Sequence, residues 1–322
     1  MVTGGAGFIG SHLVEALLKR GLSVRCLVRD PAAPKWLRGL DVELVKGDID
    51  KPESLKGIFG DVDYVFHAAG VTKAADAGTY YRVNAEGTKN LALAAVKGGG
   101  RLKKFVLVSS QAASGPSLEG RPRKEDDPPA PVTDYGRSKL EGERNALALK
   151  DEIPLVIVRP PSVYGPRDRD VYTFFKLVKR GIRTTFREER LISMCYVDDL
   201  VEGVLLAGFG ETESGEAFFI ADPVPYGWDY MGEAIAEAFG VQAMRVVVPV
   251  SVLSVVAALS EAAGALTGRP ALLNRQKMAE IRQRYWVLDV GKAGRRLGFA
   301  ASRDFRTGAR LTAQWYRSQG WL

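Results

Sequence analysis

Tyr135 and Lys139 stand four residues apart in Tyr135-Gly-Arg-Ser-Lys139. Four residues make about one helical turn, so a helix here sets a phenol and an ammonium on one face. Upstream, Thr3-Gly4-Gly5-Ala6-Gly7-Phe8-Ile9-Gly10 has the form of a loop that cradles the phosphates of a dinucleotide. The spacing Gly4-x-x-Gly7-x-x-Gly10 gives a tight turn, close backbone approach to pyrophosphate, and close packing of helix on strand. The two features together imply a phenol kept acidic beside a nicotinamide ring. That is redox chemistry at a carbon bearing oxygen.

Such residues need a rigid frame. After the glycines, Leu13, Val14, Leu17 and Leu18 recur at helical period and Gly21 stops the helix. Apolar runs then predict strands at Val24–Val28, Val42–Val45, Tyr64–Ala68, Phe105–Ser109 and Leu155–Val158, with helical stretches between them. This alternation predicts an α/β fold: a doubly wound parallel sheet covered by helices on both faces. Leu91–Val96 reads as a helix ended by Gly98-Gly99-Gly100, and Gly115–Thr133, rich in proline and charge, as a loop. Residues 1–160 are expected to form a dinucleotide-binding Rossmann domain, to which later segments return, and 161–322 a smaller substrate lobe. Only Met1 and Val2 precede Thr3, fewer than a first strand normally needs, so the native chain is expected to begin upstream.

Composition narrows the function. Hydrophobic content of 46% and charge of 26% are ordinary for a globular protein. The net charge of +7 is scattered, with no basic run interleaved with aromatics, which favours a solvated surface over nucleic-acid binding. Two cysteines in apolar runs, Cys26 and Cys195, read as buried thiols of a reducing, cytoplasmic compartment. Two histidines, His12 and His67, make a metal site improbable. The nearly uncharged segment Val246–Leu266 approaches the length of a membrane span. Packing within the protein is its preferred reading, and peripheral membrane contact the lesser one.

The chain resembles the extended short-chain dehydrogenase/reductase family over nearly its whole length. The resemblance rests on seven motifs in order: Thr3–Gly10, Gly47-Asp48-Ile49, His67-Ala-Ala-Gly70, Val83-Asn84-Ala-Glu-Gly87-Thr88, Val108-Ser-Ser110, Tyr135-x-x-x-Lys139 and Arg159-Pro-Pro-Ser-Val-Tyr-Gly-Pro166. It implies that Tyr135 is the general acid/base, with a phenol pKa drawn down by the Lys139 ammonium and the oxidised nicotinamide. Lys139 would also hold the nicotinamide ribose. A hydroxyl from the preceding strand end would hold the substrate oxygen. Ser109 and Ser110 both qualify, the spacing to Gly115 favouring Ser110; otherwise the pair caps the strand end. Asn84 either orients the site or ties adjacent backbone. His67 is read as structural. Gly4, Gly7, Phe8, Ile9, Gly10, Ala68, Ala69, Gly70, Asn84, Ser109, Pro160 and Val163 are the implied cofactor contacts, and Asp48 with Ile49 matches the adenine position.

Cofactor choice turns on the end of the second strand. The family's ribose-binding acid falls on Val28, and Arg29 follows, which favours a 2′-phosphate and hence NADP; Asp30 keeps NAD open. Dehydratases carry Asp-Glu after the active hydroxyl, where this chain has Gln111-Ala112. Sugar-nucleotide enzymes tend to carry an arginine where Ile192 stands; Arg190, two residues off, would share the face without sharing the place, whereas Arg167, Arg169 or Arg183 could stand in. Within the family, the sequence most resembles the branch of 3β-hydroxysteroid dehydrogenases and dihydroflavonol reductases. It implies hydride transfer between NAD(P) and a secondary alcohol or ketone on an apolar small molecule. The alternatives are a nucleotide-sugar epimerase with tightly held NAD and a non-catalytic dinucleotide sensor. Pairing into a homodimer through the Tyr135–Lys150 helix is also expected.

Overall fold

The computed structural model describes residues 1–74, 76–98, 100–267 and 275–322, without the side chains of 262–267. The first half runs β1 (Val2–Thr3), α1 (Phe8–Lys19), β2 (Val24–Val28), β3 (Val42–Lys46), β4 (Tyr64–His67), α2 (Ala77–Tyr80), α3 (Gly87–Gly98), β5 (Lys104–Val108), α4 (Gln111–Ser114), α5 (Asp134–Leu147) and β6 (Leu155–Arg159). There follow β7 (Ser162–Tyr164), α6 (Tyr172–Lys179), β8 (Ile182–Thr185), β9 (Leu191–Ile192), β10 (Met194–Tyr196), α7 (Val197–Phe209) and β11 (Glu216–Phe219). The chain ends with β12 (Tyr226–Gly227), α8 (Trp228–Phe239), β13 (Met244–Val247), α9 (Val250–Thr267), α10 (Arg275–Arg282), β14 (Tyr285–Trp286), α11 (Gly291–Leu297) and α12 (Phe305–Ser318). Gly99, part of the expected helix stop, lies outside the described residues.

Seven parallel strands lie in the order β11-β6-β5-β4-β1-β2-β3. This is the predicted Rossmann sheet. Its inner strands are continuous apolar runs because both faces are covered; all of β6 is buried. On one face Leu13, Val14 and Leu17 of α1 join Leu200, Val204 and Leu205 of α7 over Val2, Phe66, Val106 and Val156. On the other, Leu91, Ala92 and Ala95 of α3 and Ala146 of α5 cover Val65, Phe105, Leu107 and Leu155. β11 and α7 come from beyond residue 160, so the second half of the chain returns to the sheet. The rest of that half has its own core, built from Phe175, Met231, Ile235, Phe305 and Tyr316.

The strand order reverses between β1 and β4, which opens a crevice at their carboxyl ends, where such sheets take their ligands. α5 is pressed towards this crevice backbone to backbone. A Cβ on Gly136 would stand 2.3 Å from the Ala112 carbonyl oxygen, and one on Gly142 2.4 Å from that of Asn84. Only glycine permits either approach. Thr133 caps the helix, its hydroxyl accepting from the Gly136 amide at 3.1 Å.

Candidate active site

Tyr135 and Lys139 occupy successive turns of α5, facing the end of β5. Lys139 is buried, and its Nζ donates to the Val108 carbonyl at 2.8 Å. One further turn along, Glu143 is 1% exposed and forms an ion pair with Arg159 at the end of β6, at 3.0 and 2.7 Å. Burial lowers the Lys139 pKa to about 8, with Glu143 opposing it. The Ser110 hydroxyl favours the Tyr135 phenolate, and its Oγ accepts from the Ala112 amide at 3.1 Å as the cap of α4. The two readings of Ser110, oxygen holder and strand-end cap, are therefore compatible. Its neighbour Ser109 is buried, and its Oγ has no hydrogen-bond partner among the described residues.

The expected lowering of the phenol pKa is absent in the chain alone. Burial raises Tyr135 to about 12, the Ser110 hydrogen bond opposes this, and Glu280, Asp170 and Tyr80 push it further up. Lys139 is directed to the Val108 carbonyl, and desolvation is the largest influence on the phenol. At neutral pH Tyr135 therefore carries its proton.

Asn84 lies in a π-helical turn, Tyr81–Glu86. Its amide accepts from the Val71 N–H at 2.8 Å, donates to the Val71 carbonyl at 3.0 Å, and donates to Ser138 Oγ at 3.0 Å. These bonds tie adjacent backbone, one of its two expected roles. His67 is structural as expected: its ring joins Thr3 Oγ1 at 2.7 Å and Thr88 Oγ1 at 3.0 Å, and burial lowers its pKa to about 3.

The glycine loop fits a dinucleotide. α1 starts at Gly7 with no side-chain cap and no acidic residue in its first turn, which leaves amides open to an anion. Gly4 has a φ of +71°, and a Cβ there would stand 2.7 Å from the Ala68 carbonyl carbon. Phe8 and Ile9 turn into the protein, packing on the two cores on that side. Gly70 borders the pair as well: a Cβ on it would stand 3.9 Å from Lys139 Nζ. Pro160 is buried after β6, and Val163 lies on β7, packed against core. Ile49 is buried against Gly87, so its side chain is spent on packing, whereas Asp48 stays partly exposed at the end of β3. A Cβ on Gly10 would stand 2.2 Å from the Gly4 carbonyl oxygen. Gly10→Ala is expected to displace the loop and weaken dinucleotide binding about tenfold or more, roughly 1.4 kcal/mol. A fluorescence titration checks this, and unchanged affinity would show the cradle lies elsewhere.

Residues from far along the chain wall the site. Gln276 of α10 accepts from the Asp134 amide at 2.8 Å, next to Tyr135. Lys277 pairs with Glu280 at 2.8 Å, and Lys73 with Asp170. The Tyr80 ring lies 6.1 Å from that of Tyr135. None of these was singled out from sequence. Glu143 could have been, since it lies one turn beyond Lys139; Gln276 carries no signal at all.

With this geometry in place, similarity to known proteins becomes informative. The sequence model of the NAD dependent epimerase/dehydratase family matches residues 1–221. The chain belongs to this family. As an NAD dependent epimerase/dehydratase-family protein it is similar to a ceramide reductase of Caulobacter vibrioides, 32% identical over 325 residues, with 100% of this chain and 95% of that protein covered. It is also similar to a 3 beta-hydroxysteroid dehydrogenase/Delta 5-->4-isomerase of Mycobacterium tuberculosis, 30% identical over 268 residues, covering 74% of this chain and 69% of that one. The UDP-glucose 4-epimerase of Thermus thermophilus in complex with NAD superposes with a TM-score of 0.78 at 26% identity, over 98% of both chains. This family member is an NAD(P)-dependent oxidoreductase of the extended short-chain dehydrogenase/reductase type.

Proposed function

We propose that the protein is an NADP-preferring reductase of an apolar ketone, with Tyr135 as proton donor, Ser110 as holder of the substrate oxygen and Lys139 as the residue that orients the nicotinamide ribose. The observation that carries the substrate reading is the fate of the arginines. Arg183 pairs with Asp229 and Glu233, and Arg167 with Glu15. Arg190 is buried, donates to the carbonyls of Ile281 and Gln283, and lies 4.7 Å from the Phe186 ring centroid. Arg169 lies 5.3 Å from the Trp321 ring centroid. Each of these four arginines is engaged within the protein, and Ile192 stands where the expected one is missing.

In the forward direction, Ser110 and Tyr135 hydroxyls converge on the carbonyl oxygen. The reduced nicotinamide, when bound, supplies the hydride to the carbonyl carbon. Tyr135, protonated at neutral pH, gives its proton to the developing alkoxide, which completes the alcohol. Gly4, Gly7 and Gly10 with the amides of α1 would hold the pyrophosphate, and Ser109 Oγ is a free buried partner for it or for the substrate.

Two details support NADP. Val28 is buried where an acid would bind the ribose hydroxyls, and the exposed Arg29 beside it has no ion-pair or hydrogen-bond partner among the described residues. Asp30 is turned onto its own loop, accepting from the Ala32 amide at 3.0 Å. Arg29→Ala is expected to cut the preference for NADPH over NADH about tenfold or more, the worth of a charge-assisted hydrogen bond to phosphate. Separate titrations of the two cofactors on stripped protein measure it. NADH oxidised as readily as NADPH would remove this reading. Turnover of NADPH with apolar ketones tests the reaction; tightly retained NAD with no net turnover would favour an epimerase.

A further inference from the structure

Val252, Val255, Val256 and Leu259 recur at steps of three and four along α9 and so form one stripe. They are 51, 61, 44 and 67% exposed, whereas Ala257, on the opposite side, is buried. The strand leading into the helix, β13, adds Met244 and Val247, also exposed. Among the described residues, six of the eleven exposed large hydrophobic side chains therefore fall between Met244 and Leu259. Single exposed apolar residues are ordinary; a contiguous row of them marks a contact surface. Among the described side chains of the segment expected to pack within the protein, Ala257 is buried and this stripe is exposed.

Its charge points to the occupant. From Met244 to Arg284 the sequence has six basic residues against two acidic ones, a net +4 of the whole chain's +7. Along the sequence two of them bracket the stripe: Arg245 on β13, 48% exposed and paired with Asp229 of α8, and Arg275, 90% exposed and paired with Glu261 of α9. A two-fold contact with a second copy would bring this positive segment against itself. Among the described residues no helix is long and apolar enough to cross a membrane.

We propose that this face docks on an anionic lipid bilayer, with α9 lying in the headgroup plane and its stripe in the acyl boundary. Apolar side chains on one side with basic residues at the edge are what binds such a surface. The placement suits the site: α10, the next helix, is joined through Gln276 to Asp134, beside Tyr135. A bilayer-held substrate would thus meet the enzyme at the wall of its site. Docking itself does not rest on the proposed reaction, and its test needs no turnover.

The test is flotation of the full chain with phosphatidylcholine vesicles, with and without phosphatidylglycerol. Binding to the anionic vesicles is expected, weaker on neutral ones and in high salt. The double substitution Val255→Glu/Leu259→Glu is expected to cut the vesicle-bound fraction about tenfold or more. It should leave cofactor affinity and melting temperature unchanged, because both side chains face solvent. If the glutamates disturb folding, Val255→Ser/Leu259→Ser is read instead, with the same direction. Absence of wild-type flotation on anionic vesicles, or flotation undiminished in a folded double variant, overturns the proposal. A lipid-free dimer that the double variant splits into monomers assigns the face to a second copy and overturns it equally.

Discussion

Tyr135→Phe is expected to lower kcat for ketone reduction about a thousandfold, within the range for loss of a positioned proton donor. NADPH affinity should stay within about twofold, since the change removes one oxygen and no contact of the glycine loop. The fold should hardly notice. The phenylalanine ring fills the same volume, and Ser110 keeps the Ala112 amide as a partner, so no buried group is orphaned. Without the phenol, the alkoxide formed by hydride arrival has no proton source within reach, and Ser110 alone must stabilise it. Steady-state kinetics with a responsive ketone, a cofactor titration and a thermal melt separate these effects. Turnover within tenfold of the wild type would strip Tyr135 of the role of proton donor.

The high phenol pKa sharpens the expectation. A Tyr135 held near 12 keeps its proton over the whole neutral range, as the proposed role of proton donor in reduction requires. Oxidation needs the phenolate, so the alcohol-to-ketone direction should be slow at neutral pH and rise with pH. The pH at which oxidation rises would be set by burial and by the acidic neighbours Glu280 and Asp170. Spacing in the sequence could not show either.

What was legible in the sequence follows from local rules. The five predicted strands were found to within a residue or so because buried parallel strands are unbroken apolar runs. Tyr135 and Lys139 declared themselves by one-turn spacing, and the cradle by glycine spacing. The rest depends on contacts between distant segments. Gln276 and Asp134 are 142 residues apart, and nothing local to either announces the other. The arginines' partners are equally non-local, so sequence left Arg167, Arg169 and Arg183 free to grip a diphosphate. The apolar character of α9 was plain from composition, but which of its faces meets solvent depends on what the lobe packs against it. β1, only two residues long, relies on pairing with both β2 and β4 rather than on its own propensity.

Lys139→Met is expected to give a cofactor-free protein that is more stable than the wild type near neutral pH and about a hundredfold or more less active. Lys139 is 6% exposed, and burial depresses its pKa from 10.5 to about 8. Holding that ammonium in the fold costs about 3 kcal/mol at a pH below both values. Methionine matches much of its volume without the charge. Two consequences oppose the gain. The Val108 carbonyl loses its donor, which costs about 1 kcal/mol. Glu143 loses a nearby cation but keeps both hydrogen bonds to Arg159, so it is not left unpaired. A net gain of about 1–2 kcal/mol, a few degrees in Tm, remains. The sign with pH is fixed by linkage. Between about 8 and 10.5 the unfolded wild type binds the lysine proton while the folded state releases it, so wild-type stability rises with pH through that window. The methionine variant lacks this term, and its advantage should shrink there. Paired melts near neutral pH and near the upper end of the window measure both. A variant less stable at neutral pH would mean that Glu143 compensates the buried ammonium fully. In that case Lys139 would hold the fold together as well as the site.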